Sequence, residues 1–215
     1  MRTRGDGRND TSTPGGTWVY RPRSSSVYAA ILAVVLAGWT WSTLADGTFR
    51  PLVALPWLLF LATAGYTVFV RPRVEVDGAG VTLVNPLRTV VVPWPALVHV
   101  STRYALTLHT PGGNHRAWAA PGPGRHAATM STAVDVRAVS RTGGSTGSVG
   151  LGDLPSSPSG VAAHHVRERW QNLVDAGAVE AGVAEETPVR TRIAWPWVAA
   201  LAVTALAGVG AALLG

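Results

Sequence analysis

Three uncharged apolar runs limit what this chain can become. They are VYAAILAVVLAGWTWSTL at 27–44, PLVALPWLLFLATAGYTVFV at 51–70 and IAWPWVAALAVTALAGVGAALLG at 193–215. An α-helix of about 20 apolar residues crosses a hydrocarbon core about 30 Å thick, so each run has the length of a membrane span. A chain of 215 residues has little room to bury three such helices in a soluble core. Three transmembrane helices are therefore expected. Only ADGTFR, 45–50, joins the first two, and so short a link forces an antiparallel hairpin.

Charge at the span ends gives a direction. Arg21 and Arg23 precede the first run, Arg71 and Arg73 follow the second, and Arg190 and Arg192 precede the third, whereas the hairpin tip is neutral. Arg excess marks the cytoplasmic side. One orientation satisfies every boundary: N-terminus inside, hairpin tip outside, residues 71–192 inside, C-terminus outside, in the plasma membrane. A second reading treats residues 1–45 as a cleaved signal peptide, with Thr43 and Ala45 as the small residues before the cut, although its apolar region exceeds the usual ~7–15 residues. It leaves 71–192 on the same side. None of the runs contains Asp, Glu, His or Arg, which argues against an ion or proton path. Small residues recur every fourth position at Ala29, Ala33, Ala37 and at Ala200, Thr204, Gly208, Ala212, a spacing that lets helices approach closely in lipid.

All eighteen basic residues are Arg, and the net charge is +6. Much of that excess sits at the span ends, so orientation accounts for it without nucleic acid. With no cysteine, disulfides, thiolate nucleophiles and Cys-ligated zinc are excluded. Residues 1–26 are polar and basic, and are expected to be disordered.

From Arg73 the hydrophobic period changes to two. RVEV, VTLVN, TVVVPW, LVHVST, YALTLHT and HRAWAA form six expected antiparallel strands separated by turn residues, a small sandwich or partly open barrel. Val74, Val76, Val81, Leu83, Val90, Val92, Val98, Val100, Leu106 and Leu108 are the expected inward positions. STAVDVRAVS, 131–140, is a possible seventh strand inside a flexible loop of about 127–160. A helix follows, capped by Ser157 or Ser159, with Val161, Val166, Trp170, Leu173 and Val174 on one stripe and Gly177 at its end. Residues 179–192 read as an acidic linker.

The run RPRVEVDGAGVTLVNPLRTVVVPWPALVHV resembles the bacterial pleckstrin-homology (PH) domains of the low-molecular-weight protein antigen type, found in actinobacterial membrane proteins. The shared features are RPR after a membrane hairpin, a DG turn, NPLR and a PW pair; RERWQNL, 167–173, is similar to the closing helix. The resemblance implies a PH-like antiparallel barrel over 71–178, closed by that helix and followed by one C-terminal transmembrane helix. Better-known relatives bind phosphoinositides through cations in the first hairpin loop. Here that loop is Asp77, Gly78, Ala79, Gly80, so that site does not transfer.

Between Gly78 and Val134 there is no carboxylate, while Arg88, Arg103, Arg116 and Arg125 supply positive charge. Arg88, Arg103 and Arg116 are thus candidates for contact with a ligand or with anionic lipid headgroups. General acid-base chemistry would fall to His99, His109 and His115, and His109 and His115 could face each other across the PGGN hairpin as part of a metal site. His164 and His165 are adjacent on a helix and point apart. No G-x-S-x-G elbow is present, and a phosphate loop of the G-x-x-x-x-G-K type is impossible without lysine. The resulting expectation is a non-enzymatic, cofactor-free membrane protein. Its cytoplasmic PH-like domain would bind a partner protein or peptide, at a sheet edge or in a groove beside the closing helix. An anionic-lipid sensor and a His-based metalloprotein are the alternatives.

Overall fold

The computed structural model describes residues 16–21, 24–45, 50–122, 157–179 and 183–214. The possible seventh strand at 131–140, Arg23, Arg125, the hairpin tip at 46–49 and residues 1–15 lie outside them. The chain divides into two compact units.

The first unit holds most of two antiparallel sheets. One has the order β1-β2-β3-β4-β8, with β1 Trp18–Tyr20, β2 Arg73–Val76, β3 Gly80–Val84, β4 Arg88–Pro93 and β8 Arg190–Ile193. The other has the order β5-β6-β7, with β5 His99–Ser101, β6 Ala105–Thr110 and β7 Gly113–Pro121. Among the described residues the sheets do not join into a closed barrel. Alternation along the strands sends Val74, Val76, Val81, Leu83, Val90, Val92, Leu106 and Leu108 into one core, where all are buried. Each such side chain contributes about 1.5–3 kcal/mol by leaving water.

Val98 departs from this pattern and is 54 % exposed. A 3-10 turn over Trp94–Ala96 precedes β5, and Leu97 enters the core in its place.

Two segments expected to lie outside the domain are strands. Trp18–Tyr20, within the stretch read as disordered, pairs with β2 in the register Trp18↔Val76 and Tyr20↔Val74. Trp18 and Tyr20 pack on the core, and that burial holds the strand in place. Arg190–Ile193, at the end of the stretch read as a linker, pairs at the other edge of the same sheet. Along the chain β1 runs into the first apolar helix, the second apolar helix runs into β2, and β8 runs into the third.

The closing helix α3 spans Pro158–Asp175, so the expected loop ends before residue 158. Ser157 caps it, its hydroxyl accepting from the Gly160 N–H at 2.9 Å. At the other end the Ala178 N–H donates to the Leu173 carbonyl and the Gly177 N–H to the Val174 carbonyl, both at 2.9 Å, and Gly177 takes φ +66°. That is a Schellman ending, which needs a left-handed residue at Gly177. The face α3 buries is made of Ser159, Gly160, Ala162, Ala163 and Val166. Small side chains let the helix lie close to the sheets, whereas Val174 remains 39 % exposed.

The second unit consists of α1 Ser24–Ala45, α2 Arg50–Gly65 continuing as a π-turn Tyr66–Val70, the turn 85–89, and α4 Trp195–Leu214. At 1.5 Å per residue α1 is about 33 Å long and α4 about 30 Å. Over Trp195–Leu213 α4 is apolar and long enough to cross a membrane, and Ala29–Ser42 and Ala54–Val70 are shorter apolar stretches. Gly208, in the small-residue stripe of α4, is buried against the Trp57 indole of α2, while Ala33 and Ala37 of the α1 stripe are exposed. Tyr66 and Trp197 stack with centroids 4.8 Å apart.

Candidate functional site

The motifs quoted from the sequence combine in pairs. In the DG turn, the Asp77 carboxylate accepts from the N–H groups of Ala79 at 2.8 Å and Gly80 at 2.9 Å, while the Asp77 carbonyl accepts from the Trp94 indole at 3.1 Å. The DG turn and the PW pair are thus one structure. Where relatives place ligand-binding cations, this loop spends its polar groups on holding its own shape. The RPR and NPLR motifs also meet. The Arg71 guanidinium donates to the carbonyls of Asn85 and Pro86, the latter at 2.8 Å, and to the Thr89 hydroxyl at 3.3 Å.

The other boundary arginines are used differently. Arg73 pairs with Glu75 at 2.5 Å on the same strand. Arg21, Arg190 and Arg192 are exposed.

The three candidate ligand arginines are divided between the two units. Arg88 is exposed and falls with the turn 85–89 in the helical unit. Arg103 and Arg116 belong to the sheet unit, both exposed. Arg103 lies over the Tyr104 ring, 5.3 Å from its centroid, and Arg116 stands opposite Thr107 in β7.

The outer face of the three-stranded sheet carries His99 and Ser101 from β5, Thr107 and His109 from β6, and Asn114, Arg116 and the 58 % exposed Trp118 from β7. His99 and His109 are direct cross-strand partners with centroids 5.5 Å apart, and His109 Nε2 lies 2.9 Å from the Ser101 hydroxyl. This corrects the expected His109–His115 pair. The turn at Pro111 and Gly112 pairs His109 with Asn114 and Leu108 with His115. Parity then puts the two histidines on opposite faces of the sheet, and His115 sits by the Thr110 hydroxyl instead. Among the described residues no three His, Cys, Asp or Glu side chains cluster as metal ligands.

The adjacent His164 and His165 rings lie edge to face, with centroids 5.9 Å apart, but have different further neighbours. His164 is exposed, 3.8 Å from Glu168, while His165 packs on the Trp18 ring at 4.3 Å. Burial, helped by the neighbouring His164 and opposed by Glu168, lowers the His165 pKa.

A concave feature of the sheet unit is a groove of about 420 Å³ beside the C-terminal half of α3. Trp94, Pro95, Leu97 and Val98 line it together with Trp170 and Val174 of α3, and Val179 and Ala184 complete the apolar lining. The departures from the expected core explain it: Val98 and Val174 are exposed because they line this groove. Sequence periodicity supplies both residues and assigns them to the interior. Only the 3-10 turn before β5 and the placement of α3 show otherwise.

Residues 71–142, about a third of the chain, match the family model of a bacterial PH domain. The match begins at Arg71 and covers β2 through β7. No curated protein and no solved structure matches. The two antiparallel sheets agree with a PH-like sandwich. PH domains are in general non-catalytic modules that bind lipids or proteins.

Proposed function

We propose that the chain is a multi-pass membrane protein whose PH-like domain, residues 71–178, lies on the cytoplasmic side and binds a partner protein or peptide. The observation that carries the binding role is the apolar groove between Trp94 and Trp170, open to solvent and lined by exposed Val98 and Val174. A membrane setting accounts for the helical unit. Val34 at 73 %, Leu206 at 72 % and Leu213 at 81 % exposure would each be costly in water. The hydroxyls of Thr40, Thr67 and Thr204 donate to carbonyls of their own helices, which suits a medium without water. Arg21, Arg23, Arg71, Arg73, Arg190 and Arg192 set the orientation, with the C-terminus outside.

Photo-crosslinking in native membranes tests the role. A crosslinker at position 98 or 174 is expected to give one discrete polypeptide adduct, lost when Trp170→Ala opens the groove, while a crosslinker at position 114 gives none. Identical adducts from all three positions would refute the groove as the binding surface.

A second reading is contact with an anionic bilayer, with membrane lipids as the partner. It rests on exposed Arg103 and Arg116 in a stretch of sequence free of carboxylates, each worth about 1 kcal/mol near the headgroups, with Arg88 as a third contributor. Co-sedimentation of the reconstituted chain with anionic and neutral vesicles at two salt concentrations tests it. Equal sedimentation with both would remove the reading.

A further inference from the structure

We infer that the groove beside α3 takes a peptide segment with an apolar anchor flanked by basic residues; this rests on the groove being the binding surface. The groove's chemistry is one-sided. Its apolar lining includes Trp94, Leu97, Val98, Trp170 and Val174, and among the described residues its single charged lining residue is Asp175. Ala184, also in the lining, opens the 3-10 turn Ala184–Glu186, whose Glu185 and Glu186 are both exposed. The C-terminal end of the α3 dipole adds partial negative charge beside Asp175. Among the described residues no Arg or His lines the groove.

These carboxylates stand out in a chain whose net charge is +6. An exposed carboxylate in the lining, Asp175, with two more, Glu185 and Glu186, directly after the lining Ala184, favours a cation at the groove and repels an anion. Apolar contact supplies affinity, and the carboxylates supply selection among apolar segments. An acidic segment meets like charge. A neutral one gains nothing from the carboxylates.

The test is selection of a displayed library of random twelve-residue peptides on the full chain held in neutral nanodiscs. Peptides retained by the wild type and lost on Val98→Glu are read for charge and remeasured by fluorescence anisotropy. Enrichment of Arg and Lys beside an apolar residue is expected. The combined variant Asp175→Asn, Glu185→Gln, Glu186→Gln is expected to weaken the best peptide about fivefold at low salt and less at high salt, as exposed ion pairs do. All three substituted side chains are exposed, so the fold tolerates them, and an unchanged circular dichroism spectrum checks this. Winning peptides that are neutral or acidic, or that bind the triple variant unchanged, overturn the charge preference and leave the groove standing. If Val98→Glu removes no retained peptide, the charge preference and the groove fall together.

Discussion

Arg71 has two duties that one substitution separates. In the proposed topology its positive charge after the second apolar run helps set orientation, and in the structure its planar fork ties the turn 85–89. Arg71→Lys keeps the first duty and gives up most of the second, because an ammonium is a point donor that cannot span two carbonyls and a hydroxyl. Hydrogen bonds to charged groups are worth about 1.5–3 kcal/mol, and removing the donor takes one partner from the carbonyl of the buried Asn85. Arg71 is itself half-buried, so water competes and lysine recovers part of the loss. A net cost of about 1–2 kcal/mol is expected. In a chain of this size that lowers the melting temperature by roughly 2–8 °C.

Melting of the detergent-solubilised chain, followed by tryptophan fluorescence, reads this term. Since the natural chain has no cysteine, Gly112→Cys at the exposed β6–β7 turn gives a single label site for a membrane-impermeant maleimide, which reads orientation. The expected pair of results is a lower melting temperature with unchanged labelling. Arg71→Ala should melt lower still. If Arg71→Lys melts with the wild type, the clamp contributes nothing; if labelling changes sides, charge alone does not set the topology.

Three further outcomes follow from single contacts. Gly80→Ala drives a methyl group into the backbone of β4 at Val92 and Pro93, which cannot swing away, so a loss of about 2–3 kcal/mol is expected in chemical denaturation. Ser157→Ala removes the α3 cap and should cost about 1 kcal/mol by the same measurement, with Ser157→Asp recovering most of it. The lowered His165 pKa makes stability fullest above about pH 6.5 and diminishing as pH falls, because the unfolded chain takes up the proton first; the decline levels off once the folded-state value is passed. His165→Gln should flatten that slope between pH 7 and pH 5 in parallel melts. An unchanged slope would show that another group carries it.

Much of the sheet unit is legible in the residues. Alternation from Val74 to Leu108 marks five strands and all but one of the inward positions named, because a strand buried on one face must alternate. Ser157 and Gly177 mark the ends of α3 for reasons of local backbone chemistry. The buried face of that helix is not legible. Ala162 and Ala163 carry little hydropathy, and they are buried because close packing needs small side chains there. The candidate site was half legible: Trp94 and Trp170 stood out, whereas the exposure of Val98 depends on the 3-10 turn before β5.

The sequence by itself determined the three apolar runs, the alternating strands, the helix caps and the absence of lysine and cysteine chemistry. Each of these is a property of a few neighbouring residues. Tertiary structure decided that Trp18–Tyr20 and Arg190–Ile193 join one sheet and that His109 faces His99 rather than His115. It also decided that Arg71 holds the NPLR turn, and that Val98 and Trp170 line one groove. These outcomes depend on hydrogen-bond register and packing between residues far apart in the chain, which local pattern does not specify.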